Sequence, residues 1–342
     1  MRAAVMRRKQ LFVEEIPEPR VAPGLVLAEV VACGICGSDL HALQHTDQMI
    51  AAAKASGSPG AFDPDQGVVM GHEFCARVIE PGPGVTNVQP GDTVVSIPVM
   101  ITPEGMTTVG YSNVYNGGYA ERLLLMGALC IKVPDGCDPR HAALTEPMAV
   151  GAHAVARSGI KPGDAALVLG CGPVGLATIA ALRLAGIEMI VAADFSTKRR
   201  ELARTMGAHE AVDPRQEPAI EAWRRIDGTR PLVIYEAVGV RGMIDQAMRD
   251  APPQSRILVV GVCMETDEIW PMMGIGKELN IQFVLGYTPQ EFADTLAAIA
   301  EGRLDVAPLI TGEVGIAGVP QAFRDLADPE QHAKILVEPA LG

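Results

Sequence analysis

The chain is predicted to be an α/β protein of two domains, one rich in β-strands and one built on a doubly wound parallel sheet with helices on both faces. Its 342 residues, of which 48% are hydrophobic, are enough for about two domains with sizeable cores. The first 147 residues contain short β-type runs separated by Gly and Pro, which is typical of a compact barrel or sandwich. From about residue 148 onward, apolar strand-like runs alternate with helical patterns, which indicates βαβ units and therefore a parallel sheet.

The individual elements follow from these patterns. In the β-rich part the predicted strands are Leu25–Cys33, Cys75–Glu80, Asp92–Ile97 and Tyr119–Leu125. In the alternating part the predicted strands are Ala165–Leu169, Met189–Ala193, Leu232–Ala237 and Ile257–Val262, and the predicted helices are Val174–Leu184, Lys198–Met206 and Met243–Arg249. The segment after residue 286 carries two predicted helices, Gln290–Glu301 and around Val319–Leu326, and a predicted strand, Lys334–Glu338.

Composition and charge argue against several classes of function. A net charge of −13 and a pI near 5.0 do not fit a protein that binds nucleic-acid phosphates. The N-terminus lacks the pattern of a signal peptide, and glycines and charges interrupt the most apolar stretch, Ala165–Ala193, so no membrane segment is expected. Seven unevenly placed cysteines indicate reduced thiols or metal ligands rather than disulfides. We therefore expect a cytoplasmic protein that binds neither nucleic acid nor membranes.

A glycine motif lies between a predicted strand and a predicted helix. It reads Gly170-Cys171-Gly172-Pro173-Val174-Gly175, and Asp194 follows at the end of the next strand. In a dinucleotide-binding fold, Gly170 would permit the tight turn, Gly172 would admit the pyrophosphate, and Gly175 would allow close helix–strand packing. The motif in this context predicts a nicotinamide-dinucleotide site.

The residues after the second strand bear on the choice of cofactor. Asp194 can accept hydrogen bonds from the ribose diol of the adenosine and would repel a 2′-phosphate, which favours NAD. The basic run Lys198-Arg199-Arg200 would weaken that preference if it reached the cofactor, whereas a solvated first helical turn would leave it unchanged.

Two short clusters carry residues that can bind a metal. Cys33-Gly34-Ile35-Cys36-Gly37-Ser38-Asp39-Leu40-His41 forms the first, and Gly71-His72-Glu73 forms the second. Because no second CxxC pair follows the first, a closed four-cysteine site is not expected. A catalytic zinc needs only three protein ligands, which can come from distant parts of the chain.

These motifs, together with Leu144-Thr145-Glu146-Pro147-Met148-Ala149-Val150, Lys277-Glu278 and Lys334-Ile335-Leu336-Val337, resemble those of the medium-chain zinc-dependent alcohol dehydrogenase superfamily. The similarity is greatest to its branch of sorbitol and threonine dehydrogenases and runs from end to end. It implies a GroES-like catalytic domain made of residues 1–147 and 287–342, and a Rossmann NAD-binding domain over residues 148–286.

The resemblance also implies a ligand set. Cys36 and His72 would bind one catalytic zinc, and Glu146 stands where other members place the third ligand. Glu73 is the alternative, because in related enzymes it either binds the metal or lies just behind it; Glu146 is favoured here. Asp39 would orient His72 and raise its basicity.

The resemblance further implies a chemical reaction. An alcohol would pass a hydride to the nicotinamide, zinc would lower the pKa of the alcohol, and Ser38 and His41 would relay the proton. Lys334 matches a basic position that contacts the cofactor pyrophosphate, although a lysine on a strand edge is an equal alternative. Small residues at 37 and 38 favour secondary alcohols or polyols, giving ketones.

Two features depart from the family pattern. Residues 76–129 contain no cysteine, so no structural zinc is expected, and the stretch Pro98–Asn116 must be held by packing or by a subunit contact. Gln44–Gln66 is interpreted as including an insertion of roughly ten residues relative to the family, an added connecting loop that forms either a lid or pocket wall at the site or a surface decoration. Relatives are dimers or tetramers, so a homo-oligomer is expected. A zinc-independent quinone or enone reductase and a non-catalytic nucleotide-binding protein are the alternative functions.

Overall fold

Two large sheets organise the chain, whose residues 1–57, 62–103 and 105–342 are described by a computed structural model. Within these residues the strands are β1 (Arg2–Arg7), β2 (Gln10–Glu15), β3 (Leu25–Gly34), β4 (Glu73–Pro81), β5 (Thr93–Ser96), β6 (Val99–Thr102), β7 (Gly105–Thr108), β8 (Arg122–Met126), β9 (Cys130–Lys132), β10 (Ala165–Leu169), β11 (Met189–Ala193), β12 (Glu210–Val212), β13 (Leu232–Glu236), β14 (Arg256–Val259), β15 (Asn280–Phe283), β16 (Ile310–Val314) and β17 (Lys334–Val337). The helices are α1 (Gly37–Gln44), α2 (Thr46–Ala55), α3 (Pro139–Ala143), α4 (Thr145–Ser158), α5 (Pro173–Leu184), α6 (Thr197–Thr205), α7 (Ala219–Ile226), α8 (Met243–Asp250), α9 (Pro271–Lys277), α10 (Pro289–Ala300) and α11 (Val319–Asp325).

The first sheet is the frame of the β-rich domain. Its strands follow the order β16-β17-β3-β4-β5-β9, and β8 adds to β3. The ten-residue β3 is central, because it pairs antiparallel with β4, β8 and, at its end, β17. Strands from the last part of the chain therefore join a sheet formed by the first part. Side chains from β3, β4 and β8 fill one buried core with those of β1 and α11.

The second sheet is parallel throughout and has the order β12-β11-β10-β13-β14-β15. In chain order this is 3-2-1-4-5-6, the arrangement of doubly wound dinucleotide-binding folds. Successive side chains of β10 point to opposite faces: Leu167 packs with α7 and α8, whereas Val168 packs with α4 and α5. Both faces are buried, which explains why this strand is a continuous apolar run. The predicted fold class is confirmed.

Two helices that carry candidate site residues were not predicted from the sequence. Helix α1 begins directly after Cys36, and the Asp39 carboxylate accepts a hydrogen bond from the Cys36 N–H at its start. Helix α4 begins at Thr145 and crosses the predicted domain boundary at 147/148. It lies so close to α5 that a Cβ on Gly151 would approach the Ala177 carbonyl carbon to 2.4 Å. The boundaries at 147/148 and 286/287 remain a prediction.

The insertion Gln44–Gln66 contains helix α2, whereas a connecting loop was predicted. The physical reason is local composition, because the run Ala51-Ala52-Ala53 has high helix propensity and lacks the Gly or Pro that would end a helix. Residues 58–61 of this insertion lie outside the described residues. Within the part of the chain that the structure describes, no helix combines the length and apolarity needed to cross a membrane.

Candidate active site

The two predicted metal-binding clusters lie together at the end of the central strands of the β-rich domain. Strands β3 and β4 pair antiparallel with Gly34 opposite Glu73, so the residues after β3 meet those at the start of β4. Cys36, His72 and Glu73 each offer a ligand atom within 4.8 Å of the others. A Cβ on Gly34 would lie 2.1 Å from Oε2 of Glu73, so only glycine leaves room for that carboxylate.

Asp39 is fully buried beneath His72. Its Oδ1 lies 3.5 Å from Nδ1 of His72, and this nitrogen has no closer hydrogen-bond partner. The hydroxyl groups of Tyr111 and Tyr119 lie 2.8 Å and 2.6 Å from the two carboxylate oxygens of Asp39. Burial works against the charged forms, but the mutual attraction is stronger, so the pKa of His72 is raised and that of Asp39 is lowered. This is the position from which a carboxylate orients a metal-bound imidazole, and the orienting role of Asp39 remains a prediction.

Glu73 forms a buried ion pair with Lys334. The Lys334 ammonium lies 2.8 Å and 2.7 Å from the two carboxylate oxygens of Glu73, and it donates to the Ile35 carbonyl at 3.0 Å. Burial lowers the pKa of Lys334, but Glu73 outweighs that effect and the pKa is raised. All three N–H groups of Lys334 thus have protein acceptors. The lysine also lines a small cavity with Pro173 of the glycine motif, and its predicted contact with the cofactor remains untested.

Glu146 approaches the same centre from the first turn of α4. Burial raises the pKa of its carboxyl to about 7, and Glu73 adds to this shift while His72 opposes it. The hydroxyl of Tyr287, just before α10, interacts with this carboxylate, and the tyrosine pKa is raised in turn by burial and by Glu146. Glu146 therefore lies near His72 and Glu73 but outside the group of three residues whose ligand atoms are within 4.8 Å of one another, and among the described residues it forms no ion pair.

The donor set fits a zinc ion. A thiol from Cys36, an imidazole from His72 and a neighbouring carboxylate are the ligand types that zinc prefers over magnesium or calcium. Nδ1 of His72 faces Asp39, which leaves Nε2 as the nitrogen available to a metal. Cys33, the other half of the CxxC pair, is completely buried among apolar side chains, as expected for a structural cysteine.

The predicted proton relay lies on α1, next to the ligand cluster. Ser38 and His41 are three residues apart on this helix, so they lie on one side of it. Oγ of Ser38 lies 2.9 Å from the Tyr111 hydroxyl. His41 is half-buried, and its pKa is lowered by burial and by the nearby His45.

The glycine motif has the geometry required by the roles proposed for its three glycines. Gly170 has a φ of +91°, which a residue with a side chain rarely adopts. A Cβ on Gly175 would lie 1.9 Å from the Gly170 carbonyl oxygen, so the helix packs against the turn only because this residue is glycine. Space is open at Gly172, where the nearest atom to a Cβ would be Nη1 of Arg199 at 4.0 Å.

Asp194 is fixed by backbone groups, and of the three basic residues that follow it only one extends toward the glycine turn. The Asp194 carboxylate accepts hydrogen bonds of 2.8 Å from the backbone N–H groups of Cys171 and Ser196, which fixes it beside the glycine turn. Lys198 and Arg200 in the first turn of α6 donate to backbone carbonyl groups. Arg199 instead extends toward Gly172, and its Nε is buried with no hydrogen-bond partner among the residues that the structure describes.

Three tyrosines at the site were not predicted from the sequence. Tyr111 and Tyr119 contact Asp39, and Tyr287 contacts Glu146. All three lie far from the motifs in the chain, so spacing gave no indication of them. The one available signal was the tyrosine content of Pro98–Asn116, which includes Tyr111 but neither Tyr119 nor Tyr287.

Two family descriptions match the chain: "Alcohol dehydrogenase GroES-like domain" over residues 22–135 and "Zinc-binding dehydrogenase" over residues 173–301. The (R,R)-butanediol dehydrogenase of Bacillus subtilis (strain 168) is 32% identical over 348 residues, which cover 97% of each chain. The X-ray structure of 2R,3R-butanediol dehydrogenase from Bacillus subtilis superposes with a TM-score of 0.86 over 99% of each chain.

Two further proteins extend this similarity. Sorbitol dehydrogenase of Gallus gallus is 27% identical over 334 residues, covering 93% of this chain and 91% of that protein. A zinc-binding dehydrogenase from Sinorhizobium meliloti 1021, solved with NADP bound, is 27% identical, with a TM-score of 0.84 over 99% of each chain. The matches span both domains and nearly the full length of this chain. The chain therefore belongs to the zinc-dependent medium-chain alcohol dehydrogenase superfamily, a family of oxidoreductases that act on alcohols.

Proposed function

We propose that the protein oxidises small secondary alcohols, in particular vicinal diols and polyols, to ketones with NAD, and catalyses the reverse reduction. The observation that carries this proposal is the convergence of Cys36, His72 and Glu73, with Glu146 near enough to interact electrostatically with His72 and Glu73. Butanediol and sorbitol dehydrogenases are among the relatives, and both names denote alcohols with adjacent hydroxyl groups. The small residues Gly37 and Ser38 leave room near the ligands for a substituent on each side of the reacting carbon.

We assign the zinc ligands to Cys36, His72 and Glu146. Glu73, and not Glu146, belongs with Cys36 and His72 to the group whose ligand atoms lie within 4.8 Å of one another, but both of its oxygens are bonded to Lys334, so its charge is already compensated. Glu146 has no bonded cation in the described part of the chain, and burial raises its pKa to about 7. A bound divalent ion would offset the free-energy cost of ionising this buried carboxyl group, because it attracts the carboxylate.

Residues of the chain itself would orient a metal ligand and transfer the proton. When bound, zinc supplies a Lewis acid that lowers the pKa of the alcohol, and NAD accepts the hydride. Asp39 holds the imidazole of His72 in one orientation from behind. Ser38 accepts the hydroxyl proton of the substrate and releases its own hydroxyl proton, which His41 passes toward solvent, a step that suits a side chain that titrates near neutral pH.

The test of this function combines metal analysis with a substrate series. We expect one zinc per chain, because residues 76–129 contain no cysteine for a second site. Cys36→Ser should lose this zinc and its activity, whereas Cys263→Ser, at a partly exposed position away from the cluster, should keep both. Turnover of 2-butanol and 2,3-butanediol should exceed that of 1-butanol. A clear preference for 1-butanol, or purification without zinc in the absence of chelators, would overturn the proposal.

We propose NAD as the preferred cofactor. The Asp194 carboxylate is held at the glycine turn by two backbone N–H groups, where it would oppose a 2′-phosphate. Arg199 is the basic side chain directed at the same turn, and we assign it to the pyrophosphate. Arg199→Ala should therefore weaken NADH and NADPH binding by similar factors. A loss confined to NADPH would reassign Arg199 to the 2′-phosphate.

We propose that a second copy of the chain covers the free edge of the parallel sheet. β15 is hydrogen-bonded to β14, and within the described residues no strand pairs with its other edge. Large apolar side chains are exposed around it: Trp270, Met272, Ile275, Phe283 and Leu285. An open edge with this much exposed apolar surface is typical of an interface. Light scattering should give at least twice the 36.1 kDa chain mass, and Phe283→Lys should shift it toward the monomer.

A further inference from the structure

The segment that replaces the cysteine-bearing lobe of related proteins reaches the site through one side chain, Tyr111. Its hydroxyl lies 2.9 Å from Oγ of Ser38 and 2.8 Å from Oδ1 of Asp39. Its ring also lies against His72, with ring centres 5.4 Å apart. One side chain thus contacts a proposed zinc ligand, the carboxylate behind that ligand, and the proposed proton acceptor.

Tyr111 is held from its other side by the end of the insertion. Phe62 is buried and stacks on the Tyr111 ring at 6.4 Å. Next to them, the amide of Asn113 accepts from the Asp63 N–H at 2.7 Å and donates to the carbonyl groups of Asp63 and Gly67 at 3.0 Å and 3.2 Å. The insertion and the segment Pro98–Asn116 are therefore joined by a stacked ring pair and two hydrogen bonds, and the third bond of Asn113 goes to Gly67, directly after the insertion.

The direction of the hydrogen bonds around Tyr111 follows from the charges. A tyrosine hydroxyl has one proton, and an ionised carboxylate is a stronger acceptor than a serine hydroxyl. The proton of Tyr111 therefore goes to Asp39, and Ser38 donates its own proton to the Tyr111 oxygen. Before reaction the Ser38 oxygen thus keeps its lone pairs for a further donor, and during proton transfer the Ser38 hydroxyl must turn its proton from Tyr111 to the relay that leads to His41.

We propose that Tyr111 is a positioning residue of this enzyme. Through Ser38 it presents a hydroxyl oxygen, rather than a hydroxyl proton, to the substrate alcohol, and through Asp39 it fixes the imidazole of His72. Phe62 and Asn113 hold Tyr111 in place, which gives the insertion a role beside the site in addition to its exposed helix. This inference rests on the proposed function.

The test compares Tyr111→Phe with Tyr115→Phe, a tyrosine of the same segment whose hydroxyl makes no hydrogen bond within the described residues. Each holoenzyme is assayed for kcat and KM with 2,3-butanediol, and for the rate at which a chelator removes its zinc. Residues that support metal ligands typically contribute about 10–100-fold to metal affinity or activity. We expect Tyr111→Phe to lower kcat at least about tenfold, with KM changed less than about threefold, and to release zinc about tenfold faster. Tyr115→Phe should match wild type.

The outcomes separate this inference from the proposed function. If the wild-type protein holds no zinc or oxidises no alcohol, the proposed function fails and the positioning role fails with it. If the wild-type protein is active and Tyr111→Phe equals Tyr115→Phe in kcat and zinc release, the role of Tyr111 alone is overturned. A lower kcat with unchanged zinc release would overturn the role toward Asp39. If Tyr111→Phe does not fold, Asn113→Ala is tested in its place, because it removes the hydrogen bonds to Asp63 and Gly67 but keeps the Tyr111 hydroxyl. This variant should lower kcat and speed zinc release by smaller factors than those expected for Tyr111→Phe.

Discussion

The buried pair of Glu73 and Lys334 makes a sharp prediction about stability. Glu73 is fully buried and Lys334 is 2% exposed, with contacts of 2.7 Å and 2.8 Å between them. Lys334→Met would keep most of the side-chain volume but leave an uncompensated carboxylate in the core. Removing one partner of a buried ion pair costs about 3–5 kcal/mol, so we expect a loss in this range for the zinc-free protein.

The double variant Glu73→Gln/Lys334→Met separates charge burial from packing. A neutral amide beside a thioether leaves no buried charge, so the free energy of unfolding should return to within about 1 kcal/mol of wild type. Lys132→Met is the matched control, because its ion pair with Asp92 has an exposed lysine and should contribute at most about 1 kcal/mol.

The assay is unfolding by urea after removal of zinc, followed by far-UV circular dichroism. Tryptophan fluorescence would report on the parallel-sheet region, to which Trp223 and Trp270 both belong, and not on the β-rich domain that contains the ion pair. With zinc present, the loss in Lys334→Met should shrink, since the ion then supplies Glu73 with a neighbouring positive charge. A single variant no less stable than Lys132→Met, or a double variant as unstable as the single one, would refute the reasoning.

Three further predictions follow from the site and the glycine turn. Gly175→Ala places a Cβ 1.9 Å from the Gly170 oxygen and should weaken NADH binding at least about tenfold in a fluorescence titration, together with a lower melting temperature. Gly172→Ala meets open space, so it should leave the melting temperature unchanged and weaken NADH binding alone; a large thermal shift would contradict the geometry. In the zinc-free protein the folded-state pKa of Glu146, about 7, lies above its usual value of 4.5, so the folded state binds more protons and stability should fall as pH rises between these values. The free energy of unfolding should decrease by about 2 kcal/mol, a value reduced to allow for solvent screening of the Glu146 carboxylate. This pH dependence should disappear in Glu146→Gln. An unchanged pH dependence in that variant would assign the effect to another group.

The fold could be predicted from the sequence wherever burial imposes a repeating pattern. β10 and β11 were predicted with the bounds they have in the structure, because both faces of a parallel strand are covered and its residues are uniformly apolar. Helices α1 and α2 were missed, since α1 is short and polar and α2 lies in an insertion with little apolar periodicity. The alanine run in α2 was the available signal.

For the candidate site, too, some features could be predicted from the sequence and others depended on the folded structure. Cys36, His72 and Asp39 belong to two short clusters whose residue types can bind a metal, so the sequence by itself indicated where a metal centre could form, and the resemblance to a known family singled out these three residues. The strand register of β3 and β4 then decided that they meet, because antiparallel pairing places Gly34 opposite Glu73.

Only the tertiary structure decided the contacts that cross the chain. Lys334 reaches Glu73 over 261 positions, and Tyr111 reaches Asp39 over 72, distances at which no spacing rule operates. Local sequence determines secondary structure and the residue types that chemistry needs, because those depend on neighbours within a few positions. The partner of a buried charge depends on which distant segments the packing of both sheets brings together, and that was decided by the folded chain as a whole.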